Sequence, residues 1–230
     1  MPHVSADMDI GSDQWKDAIR TGADTFDIHI DSGKMDRFAV HAAELMQWNQ
    51  KINLTAICDP LEIAVKHVLD SIIPSLIIPG DKKKLLDIGS GGGFPGIPLK
   101  ILVPSLSVTL IDASRKKISF LKHVIRTLRL KKIDAVHIRA EEMAGMAEFE
   151  KKFDVIISRA LTSLASFVAL ALPLLSGDGM IIALKGNVQG AEIRAVRSLL
   201  KSHTMSLTIQ QYPLPFLEDN RTIVSVRHRI

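Results

Sequence analysis

The 230-residue chain has a single cysteine, Cys58. It can therefore close no disulfide within itself and build no cysteine-based zinc cluster, which leads us to expect a reducing, intracellular setting. Long apolar runs are also missing. The longest, residues 164–175, falls short of the roughly 20 residues that a membrane span requires. The first 14 residues carry acids where a secretory signal needs a basic start and an apolar run. The protein is thus expected to be soluble and cytoplasmic, without a membrane partner. No internal repeat or low-complexity tract is present. A hydrophobic share of 47% with 23% charged residues excludes disorder, collagen-like repeats and coiled coil as the main plan. The length suffices for one large domain with a sizeable core.

Net charge is +4, but it is unevenly spread. Residues 1–33 hold seven Asp against Lys16 and Arg20, a balance of −5 that leaves +9 for the rest. Residues 113–133 contain no acid and eight Lys/Arg, so nearly all of that excess sits in one segment. Such a block marks either an anionic partner, most obviously nucleic acid, or a solvated helix face. In residues 115–129, Ile118, Leu121, Val124, Ile125 and Leu128 share one side of a helix while Arg115, Lys122, Arg126 and Arg129 take the other. This arrangement favours RNA contact through that face, with Lys116 included.

The acidic lead is read as a weakly structured extension with at most a short helix over 13–21. In residues 34–50, Met35, Phe38, Ala42, Leu45, Met46 and Trp48 recur at helical spacing. A second helix is expected over 61–73, carrying His67 and Asp70 and ended by Pro74. Residues 34–80 thus form a helical part, and 84–230 the α/β core of one domain. Within that core, residues 85–88, 108–111, 135–138, 154–157 and 180–184 read as strands alternating with helices at 96–102, 116–130, 142–150 and 164–175. Such alternation implies a parallel sheet with helices on both faces. After a helix at 190–202, two β-rich runs at 205–212 and 222–229 flank a Pro-rich polar turn, so the last strand pair is antiparallel.

The first strand runs into Asp87-Ile88-Gly89-Ser90-Gly91-Gly92-Gly93-Phe94-Pro95-Gly96. Gly91, Gly93 and Gly96 fit G-x-G-x-x-G, in which glycines allow positive φ and close approach of backbone to a ligand. Asp87 before the first glycine suits a cationic amino-acid moiety and would repel a pyrophosphate. Asp112, at the end of the second strand, can accept both hydroxyls of a ribose, as in any nucleoside site. The reversed hairpin resembles the seven-stranded class I S-adenosylmethionine-dependent methyltransferase fold, a Rossmann-like sheet. That resemblance places Arg139-Ala140-Glu141, after the third strand, beside the adenine.

Ser158-Arg159-Ala160 after the fourth strand is neither Asn-Pro-Pro-aromatic nor Pro-Cys. Methylation of an exocyclic amine, or thiolate attack on a pyrimidine by Cys58, is therefore not indicated. An arginine there offers a rigid donor fork to a base edge, a phosphate or a carboxylate.

Five motifs together, namely Trp48-Asn49-Gln50-Lys51-Ile52-Asn53-Leu54-Thr55, His67-Val68-Leu69-Asp70-Ser71, the glycine loop through Pro98, Ser158-Arg159-Ala160 and Leu184-Lys185-Gly186, resemble the RsmG family. This family, also called glucose-inhibited division protein B, comprises bacterial 16S rRNA guanine-N7 methyltransferases, and the resemblance covers about residues 30–230. It implies S-adenosylmethionine as cofactor, 16S rRNA in the small ribosomal subunit as partner, no metal, and a monomer. It puts cofactor contacts on Gly89, Phe94, Ala140, Glu141 and Arg159, with Asp112 on the ribose. Asp87, Gly91 and Gly93 belong to the same loop. Asn53, His67, Arg159 and Lys185 match the acceptor side. Ser114-Arg115-Lys116-Lys117 departs from a commoner Ser-x-x-Lys-Arg pattern. A methyltransferase of a small molecule or protein, and a non-catalytic RNA-binding assembly factor, are the alternatives; a nicotinamide-dependent dehydrogenase is more remote.

Overall fold

The apolar runs that alternate with helical segments after residue 84 assemble into a seven-stranded sheet. The computed structural model describes residues 8–78, 80, 83–159 and 163–228. Ala160 of the Ser158-Arg159-Ala160 motif and Arg229 of the expected last strand lie outside the described residues. Helices α1 (Asp13–Asp24), α2 (Ser32–Asn49) and α3 (Pro60–Glu62) lead into a π-helical stretch, Ile63–Leu69, then α4 (Asp70–Ile72) and a 3-10 turn, Ile73–Leu76. The core follows as β1 (Lys84–Ile88), α5 (Gly96–Leu102), β2 (Ser107–Asp112), α6 (Arg115–Thr127), β3 (Ile133–His137) and α7 (Ala140–Ala144). It continues with β4 (Phe153–Arg159), α8 (Leu164–Ala171), β5 (Leu175–Lys185), α9 (Gly190–Leu199), β6 (Met205–Pro213) and β7 (Asn220–His228).

The strand order is β3-β2-β1-β4-β5-β7-β6. β1 to β5 are parallel, and β7 runs antiparallel to both β5 and β6. Val155, Ile156 and Ile157 of β4, like Ile181 to Leu184 of β5, are buried without interruption, as strands covered on both faces must be. The connection reverses between β1 and β4, which opens a crevice at their carboxyl ends. One face of the sheet packs against α1, α2, the π-helical stretch, α5 and α6, the other against α7, α8 and α9.

The acidic lead is not weakly structured from residue 13 onward. Trp15, Ile19 and Ala23, four apart, form a fully buried stripe on α1, while Asp13, Asp17 and Asp24 stay exposed on the other side. Ser12 caps the helix by accepting the Trp15 N–H, and Trp15 Nε1 donates to the Pro60 carbonyl at 3.0 Å. The charge count had hidden an amphipathic helix that joins the core.

The helix expected over 61–73 is α-helical only at its ends. Its middle widens to the π form, and the Lys66 carbonyl there accepts a hydrogen bond from Arg159 Nη1 at 2.6 Å. The helix expected over 142–150 begins at Ala140, and that expected over 164–175 stops at Ala171, because Pro173 enters a 3-10 turn and Leu175 already belongs to β5.

Candidate active site at the carboxyl edge of the sheet

The loop after β1 is held by backbone. Gly89 and Ser90 N–H both donate to the Ile111 carbonyl, and Gly89, Gly91 and Gly93 have φ of +72°, +55° and +89°. The Asp112 carboxylate joins loop to strand: Oδ2 accepts the Gly91 N–H at 3.1 Å and Oδ1 the Ser114 N–H at 2.8 Å. Each oxygen keeps acceptor capacity for a further donor, which suits the two hydroxyls of a ribose. A Cβ on Gly89 would meet nothing within 4 Å; the residue faces a cavity of about 270 Å³ lined by Ile111, Asp112, Ile138, Ala140 and Glu141. Two isoleucines flanking a diol acceptor fit a nucleoside. Gly89, Asp112, Ala140 and Glu141 are thus brought together.

Gly93, Phe94 and Asp87 lie elsewhere. A Cβ on Gly93 would stand 2.5 Å from Ile97 Cδ1 and 3.1 Å from His41 Nε2, so its lack of side chain serves packing of α2 against the loop. Phe94 is buried, its ring stacked between His41 and His67 at centroid distances of 4.5 and 4.6 Å, with the Arg159 guanidinium 5.1 Å from it. His41 itself donates to the Gly92 carbonyl at 2.8 Å. Burial pushes its pKa down to about 4, so it is neutral near neutral pH.

Asp87 is fully buried beneath the loop, not aligned along the cavity wall. Its Oδ2 accepts the Gly96 N–H at 2.9 Å, while Oδ1 has no partner among the described residues. Burial pushes the carboxyl up to about 7 from the ordinary 3.8, with the Gly96 N–H and the Arg159 charge pulling the other way. The folded protein then holds a proton that the unfolded chain releases, so stability falls as pH rises from about 4 through about 7. In the cofactor-free protein, Asp87→Asn is expected to flatten this slope and to melt higher than the parent at pH 8. An unchanged melting-temperature profile between pH 5 and 8 would refute that assignment.

A second cavity, of about 370 Å³, lies over β4, β5 and β7 and is lined by Lys66, His67, Asp70, Arg159, Lys185 and Arg221. Arg159 Nη2 donates to His67 Nδ1 at 3.0 Å. Because a guanidinium can only donate, His67 Nδ1 must be the acceptor, and its Nε2–H donates to Thr55 Oγ1 at 2.8 Å. Burial, with the Arg159 charge beside it, pushes the His67 pKa down to about 2. Lys185 pairs with Glu192, whose carboxylate also caps α9. Lys66 bridges Glu62 and Asp219, at 2.7 and 3.0 Å.

Asn53 does not reach this cavity: it is exposed on the loop after α2. The neighbouring Asn49 shapes that loop instead, its Oδ1 accepting the N–H groups of Leu54 and Thr55 and its Nδ2 donating to the Thr55 carbonyl. Asn49, Asp70, Tyr212 and Arg221 were given no role from the sequence. Asp70 had a usable signal, lying three residues after His67 on one helix, and Asn49 stands in the motif whose loop it shapes, but Tyr212 and Arg221 are distant in the chain.

Arg115, Lys116, Lys122 and Arg126 on α6 and Arg129 just beyond it are all exposed, while Ile118, Leu121 and Val124 are buried. Among the described residues none of these five cations lies within 4.0 Å of an acid. The helix begins three residues after Asp112, so its first turn, with Arg115 and Lys116, starts near the nucleoside cavity, and Lys122, Arg126 and Arg129 extend the basic face away from it.

The description "rRNA small subunit methyltransferase G" (GidB) matches residues 34–223 of this chain. The chain belongs to the rRNA small subunit methyltransferase G family. It is 43% identical over 212 residues to the member named ribosomal RNA small subunit methyltransferase G from Geobacter metallireducens, covering 91% of this chain and 94% of that one. It is 40% identical over 209 residues to the one from Geobacter sulfurreducens, covering 90% and 95%. Among solved structures, the sheet is similar to precorrin-6y C5,15-methyltransferase from Geobacter metallireducens, with TM-score 0.53, 14% identity, and 70% and 88% of the two chains covered. It is similar also to TYW2 from M. jannaschii in complex with AdoMet, with TM-score 0.54, 14% identity, and 70% and 73% covered. These likenesses confirm the methyltransferase fold of this family member.

Proposed function

We propose that the protein transfers a methyl group from S-adenosylmethionine to N7 of a guanine in the 16S rRNA of the small ribosomal subunit. The observation that carries this reading is a cavity whose lining suits a nucleoside and, at the same carboxyl edge of the sheet, a cationic one whose two candidate bases are both occupied. His67 gives its Nδ1 lone pair to Arg159 and its Nε2–H to Thr55. Asp70 is engaged by Tyr212 at 2.6 Å and faces two guanidiniums. Such a site is poorly suited to removing a proton, and guanine N7 attacks through a lone pair with no proton to lose.

Bound S-adenosylmethionine supplies the methyl group as an electrophile on a sulfonium. Gly89, Asp112, Ala140 and Glu141 hold the nucleoside, and Asp87, buried beneath the glycine loop, fixes that loop through the Gly96 N–H. Arg159, Lys185 and Arg221 hold guanine O6 or a flanking phosphate and exclude water from the line of transfer. The reading treats the protein as a monomer of the cytoplasm; among the described residues no helix is long and apolar enough to cross a membrane. The acceptor base is one splayed from a loop, since a base stacked within a duplex cannot reach into a cavity.

The test is methyl transfer from labelled S-adenosylmethionine to 30S subunits, free rRNA and a panel of metabolites. Incorporation into the ribosomal substrates supports the reading, and transfer to metabolites alone would overturn it. The α6 face supplies the phosphate contacts in the same reading. Changing Lys122, Arg126 and Arg129 together to Glu is expected to lower the slope of log affinity against log salt by about 2 to 3, with cofactor affinity unchanged. An unaltered slope would make that face merely solvated.

A further inference from the structure

Asp70 sits at the junction of the π-helical stretch and α4 and is 2% exposed. Three side chains from three strands converge on it. Its Oδ1 accepts the Tyr212 hydroxyl from β6 at 2.6 Å. Its Oδ2 faces Arg159 Nη1 from β4 at 3.9 Å and Arg221 Nε from β7 at 3.8 Å. Asp70 and both arginines line the cationic cavity.

Two guanidiniums bordering one cavity repel each other, and without a counter-charge their long stems would carry them apart toward solvent. A buried carboxylate between them reverses that balance. Tyr212 has one proton to give and spends it on Oδ1, which leaves Oδ2 turned toward the arginines. Its ring is in turn held edge-on by Phe26, with centroids 5.9 Å apart. The carboxylate therefore has one orientation set from the hairpin and the amino-terminal region together.

We propose that Asp70 is a positioning residue: locked by Tyr212, it sets the guanidiniums of Arg159 and Arg221 side by side in the acceptor cavity. The inference rests on the methyl-transfer reading and gives the antiparallel hairpin a part in it. Asp70 acts through the arginines and leaves their remaining N–H groups free to meet the anionic or carbonyl edge of the acceptor. Arg159 spends one N–H on the Lys66 carbonyl and one on His67, and a guanidinium has five, so donors remain.

The experiment is a double-mutant cycle on methyl transfer to 30S subunits, using Asp70→Asn, Arg221→Met and the pair. Asp70→Asn keeps the shape and the Tyr212 contact and removes the charge, so kcat/KM is expected to fall about 10- to 100-fold. In the Arg221→Met background the same change is expected to cost less than half of that factor on a logarithmic scale, because one of the groups it positions is gone. Tyr212→Phe retains the packed ring and serves where Asp70→Asn folds poorly; a fall of about 3- to 10-fold is expected from the lost hydrogen bond. Asp70→Asn costing the same factor in both backgrounds, or lowering only the melting temperature, would overturn the proposal. An unaltered parent protein that fails to methylate 30S subunits would instead overturn the functional reading on which it rests.

Discussion

Replacing Gly89 by valine is expected to abolish binding of S-adenosylmethionine while the protein stays folded. At φ +72° a β-branched side chain is strained by roughly 1–2 kcal/mol, an affordable cost for a domain of this size. Apart from its chain neighbours, no residue comes within 4 Å of an added Cβ, and Gly89 lines the nucleoside cavity. A valine there occupies volume the cofactor needs, and affinity should fall by about 3 kcal/mol or more, at least about a hundredfold. Calorimetric titration checks it directly. Gly96 provides the contrast, since a Cβ there would stand 2.4 Å from Leu110 Cδ2 and 2.7 Å from Asp87 Oδ2. Gly96→Ala should therefore lower the melting temperature of the cofactor-free protein, whereas Gly89→Val should mainly remove the rise in melting temperature that added cofactor produces. If the two variants behaved alike, the division between cradle and packing glycines would be wrong.

Arg159→Met is expected to reduce methyl transfer to 30S subunits by about 10²–10³ in kcat/KM. The guanidinium simultaneously holds the Lys66 carbonyl and His67 Nδ1, faces Asp70, and lies over the Phe94 ring. Methionine matches the stem and supplies none of these contacts, leaving a buried histidine nitrogen and half of the Asp70 field without a partner. Arg159→Lys should recover little, because one ammonium cannot span the Lys66 carbonyl, His67 and the cavity at once. Single-turnover rates with saturating cofactor separate this loss from weakened cofactor binding. A lysine variant with near-parental activity would reduce Arg159 to a point charge.

What could be read from the sequence was what short-range pattern encodes. Five short apolar runs bounded by Gly, Asp or Ser, and a Pro-rich turn between two β-rich runs, were enough for the strand count and for the reversed hairpin. Asp112 was legible for the same reason, as the acid that ends a strand whose carboxyl end lies at the binding edge, whereas Gly89, Ala140 and Glu141 came from the family resemblance. Helix α1 was obscured because seven aspartates dominate the composition of its region, while the stripe of Trp15, Ile19 and Ala23 depends on only three residues. The π-helical stretch has no separate local signature; its Lys66 carbonyl meets Arg159, 93 residues away. Tyr212 and Asp70, separated by 142 residues, are likewise joined only when β6 and α4 come together in the folded chain. Asp87 and Phe94 show a further limit: a motif says that residues belong to a loop, but not which of them lie beneath it. His41 was readable in principle, as a polar residue within the buried face of Phe38, Ala42 and Leu45, yet nothing local shows that it meets Gly92 and Phe94.

On the proposed reading, two cavities at the carboxyl edge of the sheet bring a methyl donor to N7 of a guanine in 16S rRNA. An N7-methylated guanine is labile under reduction followed by aniline, so its position can be mapped by strand scission. The direct measurement compares 16S rRNA from cells with and without the gene, and again after incubating the undermethylated 30S subunits with purified protein and S-adenosylmethionine. Scission at one guanine of an exposed loop, lost without the gene and restored by the parent protein but not by Gly89→Val, is the expected result. An identical scission pattern in both RNAs, with no new site after incubation, would contradict the claim.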